Sequence, residues 1–200
     1  MSLQEYRVLF LVVIGVLALI AASPALSRLL VLPRTEFFTE LWLLGPNHRA
    51  EDYPFNITRN SNYSMFLGIG NRLGYCAYYL VEVKFRNQSQ PGPDSFNRTP
   101  SGLPALFNIT AFVADEGIWE KPITFSFNYT HNEMFSRVEF YNMRLNDVWL
   151  NMTGYTVSWD SEKNGFYGQL FFELWIYNGT IGSFQYHERF VGLWLNMTVS

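Results

Sequence analysis

The residues of this chain that chemistry would recruit first are three histidines, one cysteine and two short acidic clusters. Metal or proton chemistry needs such groups close together. His48, His131 and His187 are far apart in the chain, and none stands in HExxH or CxxC spacing, so no metal site is expected. His187-Glu188-Arg189 falls in a strand-like run, where alternation of side chains makes it a solvated strand edge. Cys76, in the run YCAYYLVEVKF, reads as a small core residue, and a single cysteine cannot close an internal disulfide. Asp115, Glu116 and Glu120, or Asp160 with Glu162, are carboxylate pairs of the kind that hydrolyse glycosides or bind calcium. Both sets lie in turn sequences, where acidic residues are ordinary. Gly68-Ile69-Gly70 lacks the third glycine and following helix of a dinucleotide loop, and no GxSxG elbow occurs. The expectation is a chain with no catalytic residues and no cofactor.

A different kind of site recurs throughout. Asn-x-Ser/Thr occurs at Asn56, Asn62, Asn87, Asn97, Asn108, Asn128, Asn151, Asn178 and Asn196. That is several times what random placement gives, and it marks the region as extracytoplasmic and glycosylated. The six tryptophans, Trp42, Trp119, Trp149, Trp159, Trp175 and Trp194, would supply stacking surfaces for a carbohydrate if exposed. In a sandwich, most tryptophans are expected in the core.

The element that places these groups is the stretch Val8 to Ser27, twenty residues without a formal charge. As a helix rising about 1.5 Å per residue it covers roughly the 30 Å of a bilayer core. A cleaved secretory signal has an apolar core of only about 7–15 residues. Ala21 to Ala25 are small enough for such a cut, but Pro24 and the continuing run Leu29 to Leu32 favour a retained anchor. The domain plan is therefore residues 1–7 as a cytoplasmic tip, 8–32 as the transmembrane anchor and 33–200 as an extracytoplasmic domain. The sequons put the C-terminal domain outside a single-pass cell-membrane anchor.

Aromatics make up 18% of the chain and charged residues only 16%, below the usual charged share of about 25%. This favours half-buried strands over charged helices. A net charge of -3 without any Lys/Arg cluster excludes the electrostatic footprint of a nucleic-acid binder. Strands are expected at 36–44, 53–58, 63–69, 75–85, 106–113, 123–128, 136–143, 148–152, 155–159, 168–177 and 184–197. The clearest is 75–85, where Val81, Val83 and Phe85 alternate with Glu82, Lys84 and Arg86. The last two should pair as an antiparallel hairpin, with Leu170, Phe172, Leu174 and Ile176 facing Val191, Leu193 and Leu195 in the core. Gln88 to Pro104, with four prolines and two glycines, is expected to be a long exposed loop. The fold class that follows is all-β, an antiparallel two-sheet sandwich of immunoglobulin-like type behind one N-terminal transmembrane helix.

The runs TEFFTELWLLGP, AEDYPFNIT and FLGIGN, with the closing FFELWIYN and FVGLWLNMT, resemble an archaeal membrane-protein family of domain of unknown function 1616. The resemblance extends from about Thr35 to the end. It implies an extracytoplasmic β-rich domain in an archaeal cell envelope, and brings no catalytic residues. Members often have several transmembrane segments, whereas this chain has one. The functions that remain are a surface protein binding an envelope protein, with membrane lipid as partner of the anchor; a carbohydrate-binding module; and an extracellular hydrolase using a carboxylate pair.

Overall fold

The computed structural model describes residues 3–29 and 36–199. It divides into two compact units, Met1–Phe37 and Phe38–Ser200. The first holds helix α1 (Leu3–Leu29), uninterrupted by the proline at position 24. No polar face breaks the apolar run, and the segment Tyr6–Ser23 is long and apolar enough to cross a membrane. A single span and a signal anchor both have this character. The expected boundary between anchor and extracytoplasmic domain, at residues 32 and 33, lies outside the described residues.

The second unit is built from eleven strands. They are β1 (Phe38–Leu44), β2 (Asn56–Ile57), β3 (Tyr63–Arg72), β4 (Ala77–Asn87), β5 (Phe107–Val113), β6 (Ile118–Asn132), β7 (Arg137–Leu145), β8 (Val148–Asn151), β9 (Thr156–Asp160), β10 (Gly165–Asn178) and β11 (Ser183–Met197). One hydrogen-bonded layer runs β1-β3-β6-β7, with β8 and β9 both on the far side of β7. The other runs β5-β4-β10-β11-β2. A two-residue pairing between β9 and β10 joins the layers into one continuous network.

Alternation puts one face of each layer inward. Met65, Leu67 and Ile69 of β3 and Phe125 and Phe127 of β6 are fully buried, as are Val81 and Val83 of β4 and Leu170, Phe172 and Leu174 of β10. Rings meet across the layers: Phe85 of β4 lies 5.6 Å from Phe127 and 5.0 Å from Phe140. Gly168 is glycine because the Phe85 ring occupies the space a Cβ would need. These contacts make the domain an all-β, two-layer antiparallel sandwich. In immunoglobulin domains the edge strand D precedes its inner neighbour E; here the inner strands β6 and β7 precede the edge strands β8 and β9. The expected strand at 53–58 shrinks to β2, which pairs in parallel with the end of β11.

The segment 88–104 is a loop, as expected, exposed over much of its length but tied at Ser101 and Gln90 to the outer face of the second layer as a strap. Two expectations need correction. Cys76 is exposed, just before β4 begins at Ala77. It has the parity of Glu82 and Lys84, not of the inward Val81 and Val83. Finally, the tryptophans are not core: none is buried, and Trp149 is 64% exposed. Phenylalanine, leucine and valine fill the core instead.

Candidate functional site

Polar groups that the strands would turn to solvent are gathered under the strap. Lys84 of β4 and Glu173 of β10 lie on outward positions, yet both are buried. Lys84 Nζ is 2.7 Å from Glu173 Oε2 and 2.8 Å from Glu82 Oε2. Glu173 Oε1 accepts the backbone N–H of Ser101 at 2.7 Å. Arg86 reinforces the strap by donating to Gln90 O, and Arg98 pairs with Glu188 at 3.4 Å. Phe171, also outward, is covered as well. Burial pulls the Lys84 ammonium down, but the hydrogen bonds it donates to Glu173 and Glu82 outweigh that, so Lys84 sits above its ordinary value and stays charged. A lysine held this way is no general base. Nearby, burial and the Glu173 charge push the Tyr186 phenol up to about 12.

A second buried network starts at His187. A bulge in β11 leaves His187 and Glu188 without partners on β10, and Glu188 takes φ 55°. The bulge inserts two residues, so odd-numbered positions of β11 keep the same face on both sides of it, and His187 faces β1, where Nε2 lies 2.8 Å from Thr39 Oγ1. His187 is therefore not a solvated edge residue. Thr39 Oγ1 in turn meets Tyr79 OH at 3.0 Å, and Tyr79 donates to Asn71 Oδ1. Asn71 Nδ2 holds carbonyls of Tyr75, Val113 and Ala114. Burial, helped by Arg189, lowers the His187 pKa and keeps the ring neutral. The chain of bonds fastens β1 of one layer to β4 and β11 of the other.

The other candidates are dispersed. His48 lies beside Glu120 at 3.0 Å, and the second Glu120 oxygen accepts Trp42 Nε1. His131 packs edge-on against Phe166. Asp115 caps Gly74 N–H and Asp160 accepts the N–H groups of Glu162 and Lys163, both as turn acceptors. Among the described residues, no three His, Cys, Asp or Glu side chains come together as a metal set. Asn56, Asn62, Asn97, Asn108 and Asn151 are exposed, while Asn87, Asn128, Asn178 and Asn196 are half-buried.

A concave feature opens between β5 and β6. It encloses about 600 Å³ and is lined by Phe107, Trp119, Lys121, Arg144 and Asp147 among others. Volumes of about 300–1,000 Å³ with aromatic walls and a few charges are typical of ligand clefts. On the outer face of the second layer, the Arg86 guanidinium lies 5.0 Å from the Trp194 ring centre, and Lys163 is 5.9 Å from the rings of both Trp194 and Tyr167. Neither arrangement was visible from spacing, since the cleft gathers residues from Phe107 to Asp147 and the outer face brings Arg86 to Trp194.

Residues 32–145 match the family described as domain of unknown function 1616. The chain belongs to that family. The matched region ends before the β10–β11 hairpin. Among curated proteins, none matches in sequence. One similar solved structure is a complex of zinc 2-glycoprotein and prolactin inducible protein from human seminal plasma. Its identity is 10% and its TM-score 0.38, over 83% of this chain and 99% of that one. Another is a beta-glucosidase from Listeria innocua in complex with glucose, at 9% identity and TM-score 0.38, over 80% of this DUF1616 chain and 16% of the enzyme.

Proposed function

We propose that this protein is a single-pass, membrane-anchored and glycosylated component of an archaeal cell surface, and that it acts by binding rather than by catalysis. The observation that carries the reading is the cleft between β5 and β6. It combines aromatic walls with Lys121 and Arg144, beside an edge strand, β5, whose only ladder partner among the described residues is β4. An exposed edge accepts an extended segment of another protein by backbone pairing, while the cleft takes its side chains. The partner is thus an envelope protein. Support for binding over catalysis comes from the carboxylates: Glu173 and Glu82 are occupied by Lys84, and Glu120 by Trp42 and His48. The five exposed sequons support display outside the cell, and the length of α1 supports retention in the bilayer.

A photo-crosslinking residue at Lys121 should join one defined partner in native membranes, and one at Ser161 should not. Equal crosslinking at both positions would remove the cleft from the reading. The Trp194–Tyr167–Lys163 group favours a second reading, a carbohydrate-binding face, because a ring flanked by cations suits an acidic sugar. Binding to a glycan array that Trp194→Ala abolishes and Trp119→Ala leaves intact would select that alternative.

A further inference from the structure

One end of the sandwich gathers exposed apolar side chains from both layers. β1 starts there at Phe38, which pairs with Arg72 at the end of β3, while Gly70 of β3 pairs with Ile118 at the start of β6. In the other layer, the same end carries the start of β4, where Tyr78 pairs with Phe112, and the β10–β11 turn, where Tyr177 pairs with Phe184. Short connections at 73–76 and 114–117 hold the two layers' ends together, as do the Asn71 bonds to Tyr75, Val113 and Ala114. Phe38, Tyr78, Phe112, Ile118, Tyr177 and Ile181 are each between 39% and 68% exposed. Tyr78, Tyr177 and Phe184 form a cluster with ring centres 5.3 to 6.3 Å apart. Charges at this end are engaged locally: Arg72 donates to Glu116 O, and Asp115 accepts Gly74 N–H.

An exposed aromatic group of this extent marks an interaction surface. Its place in the chain says which one. Phe38 follows Leu29, the last residue of α1, by nine residues, and nine residues reach at most about 30 Å. This is therefore the end tethered to the membrane. Tyrosine and phenylalanine with apolar bodies suit the boundary between headgroups and acyl chains, where aromatic belts collect. We propose that this end of the sandwich seats on the headgroup layer of the bilayer that α1 spans, so that the domain is held by a lipid-facing aromatic rim as well as by its anchor. The inference rests on the anchor reading above.

Cys76, the sole cysteine, is exposed at this end and serves as a native reporter. The full chain, labelled there with bimane, is reconstituted in phosphatidylcholine vesicles containing a nitroxide on the lipid headgroup. The control is Cys76→Ser with Ser161→Cys, at the opposite end. The lipid nitroxide should quench the Cys76 label several-fold more than the residue 161 label, and aqueous iodide should do the reverse. Phe112→Ser combined with Ile118→Ser and Ile181→Ser should release the Cys76 label to iodide without lowering Tm. Equal quenching at the two positions overturns the seat, as does protection of Cys76 that vanishes on diluting protein in lipid, which would mean a second copy covers the rim. Alkaline carbonate washing separates the two failures. A chain extracted from the vesicles refutes the anchor and the seat together; a chain that stays while Cys76 remains in water refutes the seat alone.

Discussion

Replacing Glu173 by leucine should be among the most damaging single changes outside the core, and replacing Lys84 at the same time should undo most of the damage. Glu173 is fully buried and Lys84 is 3% exposed. Removing one member of a buried ion pair typically costs about 3–5 kcal/mol, because the other is left uncompensated, whereas an apolar pair in the same volume is often neutral. Glu82, at 21% side-chain exposure and 2.8 Å from Lys84, partly compensates the lysine and pulls the cost toward the lower end. Loss of the Ser101 N–H bond to a charged acceptor works the other way, at about 1.5–3 kcal/mol. With each kcal/mol moving Tm by about 2–4 °C for a domain of this size, Glu173→Leu should lower it by roughly 6–20 °C. The assay is thermal unfolding of the full chain in detergent, with trypsin cleavage at Arg98 as the local readout of the strap. The single variant should be cut faster, and Lys84→Met with Glu173→Leu should regain Tm. A single variant that loses less than about 1 kcal/mol, or a double variant no better than the single, would refute the reasoning, because a surface pair behaves that way.

Three further outcomes are expected. Because the folded His187 pKa is depressed below its usual value of about 6.5, the unfolded state takes up the proton first, so stability is complete above about pH 6.5 and falls as pH drops through and below it. His187→Gln should flatten the Tm curve between about pH 7.5 and 5, and an unchanged slope would place the titration elsewhere. Phe172→Ala should cost about 3–5 kcal/mol in urea unfolding because the ring is fully buried, while Trp149→Ala, at 64% exposure, should stay within about 0.5 kcal/mol. Mass spectrometry of the protein from native membranes should find glycans first at Asn56, Asn97 and Asn151, the exposed sequons outside the β5–β6 cleft that Asn62 and Asn108 line, and an unmodified native protein would remove the main support for an outside location.

The strands were legible because period-two patterning is a local property. Val81, Val83 and Phe85, and Leu170, Phe172 and Leu174, face inward as their alternation requires. What failed was whatever a neighbour imposes. Lys84 carries the parity of a solvent residue and is buried by a strap whose sequence signals only irregularity. His187 shares the parity of the inward Val191, Leu193 and Leu195, and was misjudged because its charged neighbours Glu188 and Arg189 suggested a solvated edge. Cys76 was misplaced although its own parity with Glu82 was on view, because its small size suggested a core residue. The aromatic end rim could not be read at all, since it assembles the ends of strands scattered from residue 38 to residue 184.

The position of β10 governs how this chain can be made. It is the strand between β4 and β11 in the second layer, and it also carries the link to β9, yet it begins only at Gly165. While the polypeptide emerges, β4 and β5 can pair with each other, but the β4 edge that β10 will occupy stays open and Lys84 still lacks Glu173. The strap has nothing to close upon until then. A chain interrupted near residue 145 would therefore contain the whole family-matched region and still present half a sandwich with an unpaired edge, a species prone to edge-to-edge association. Completion of this domain is decided by its β10–β11 hairpin, Gly165 to Met197.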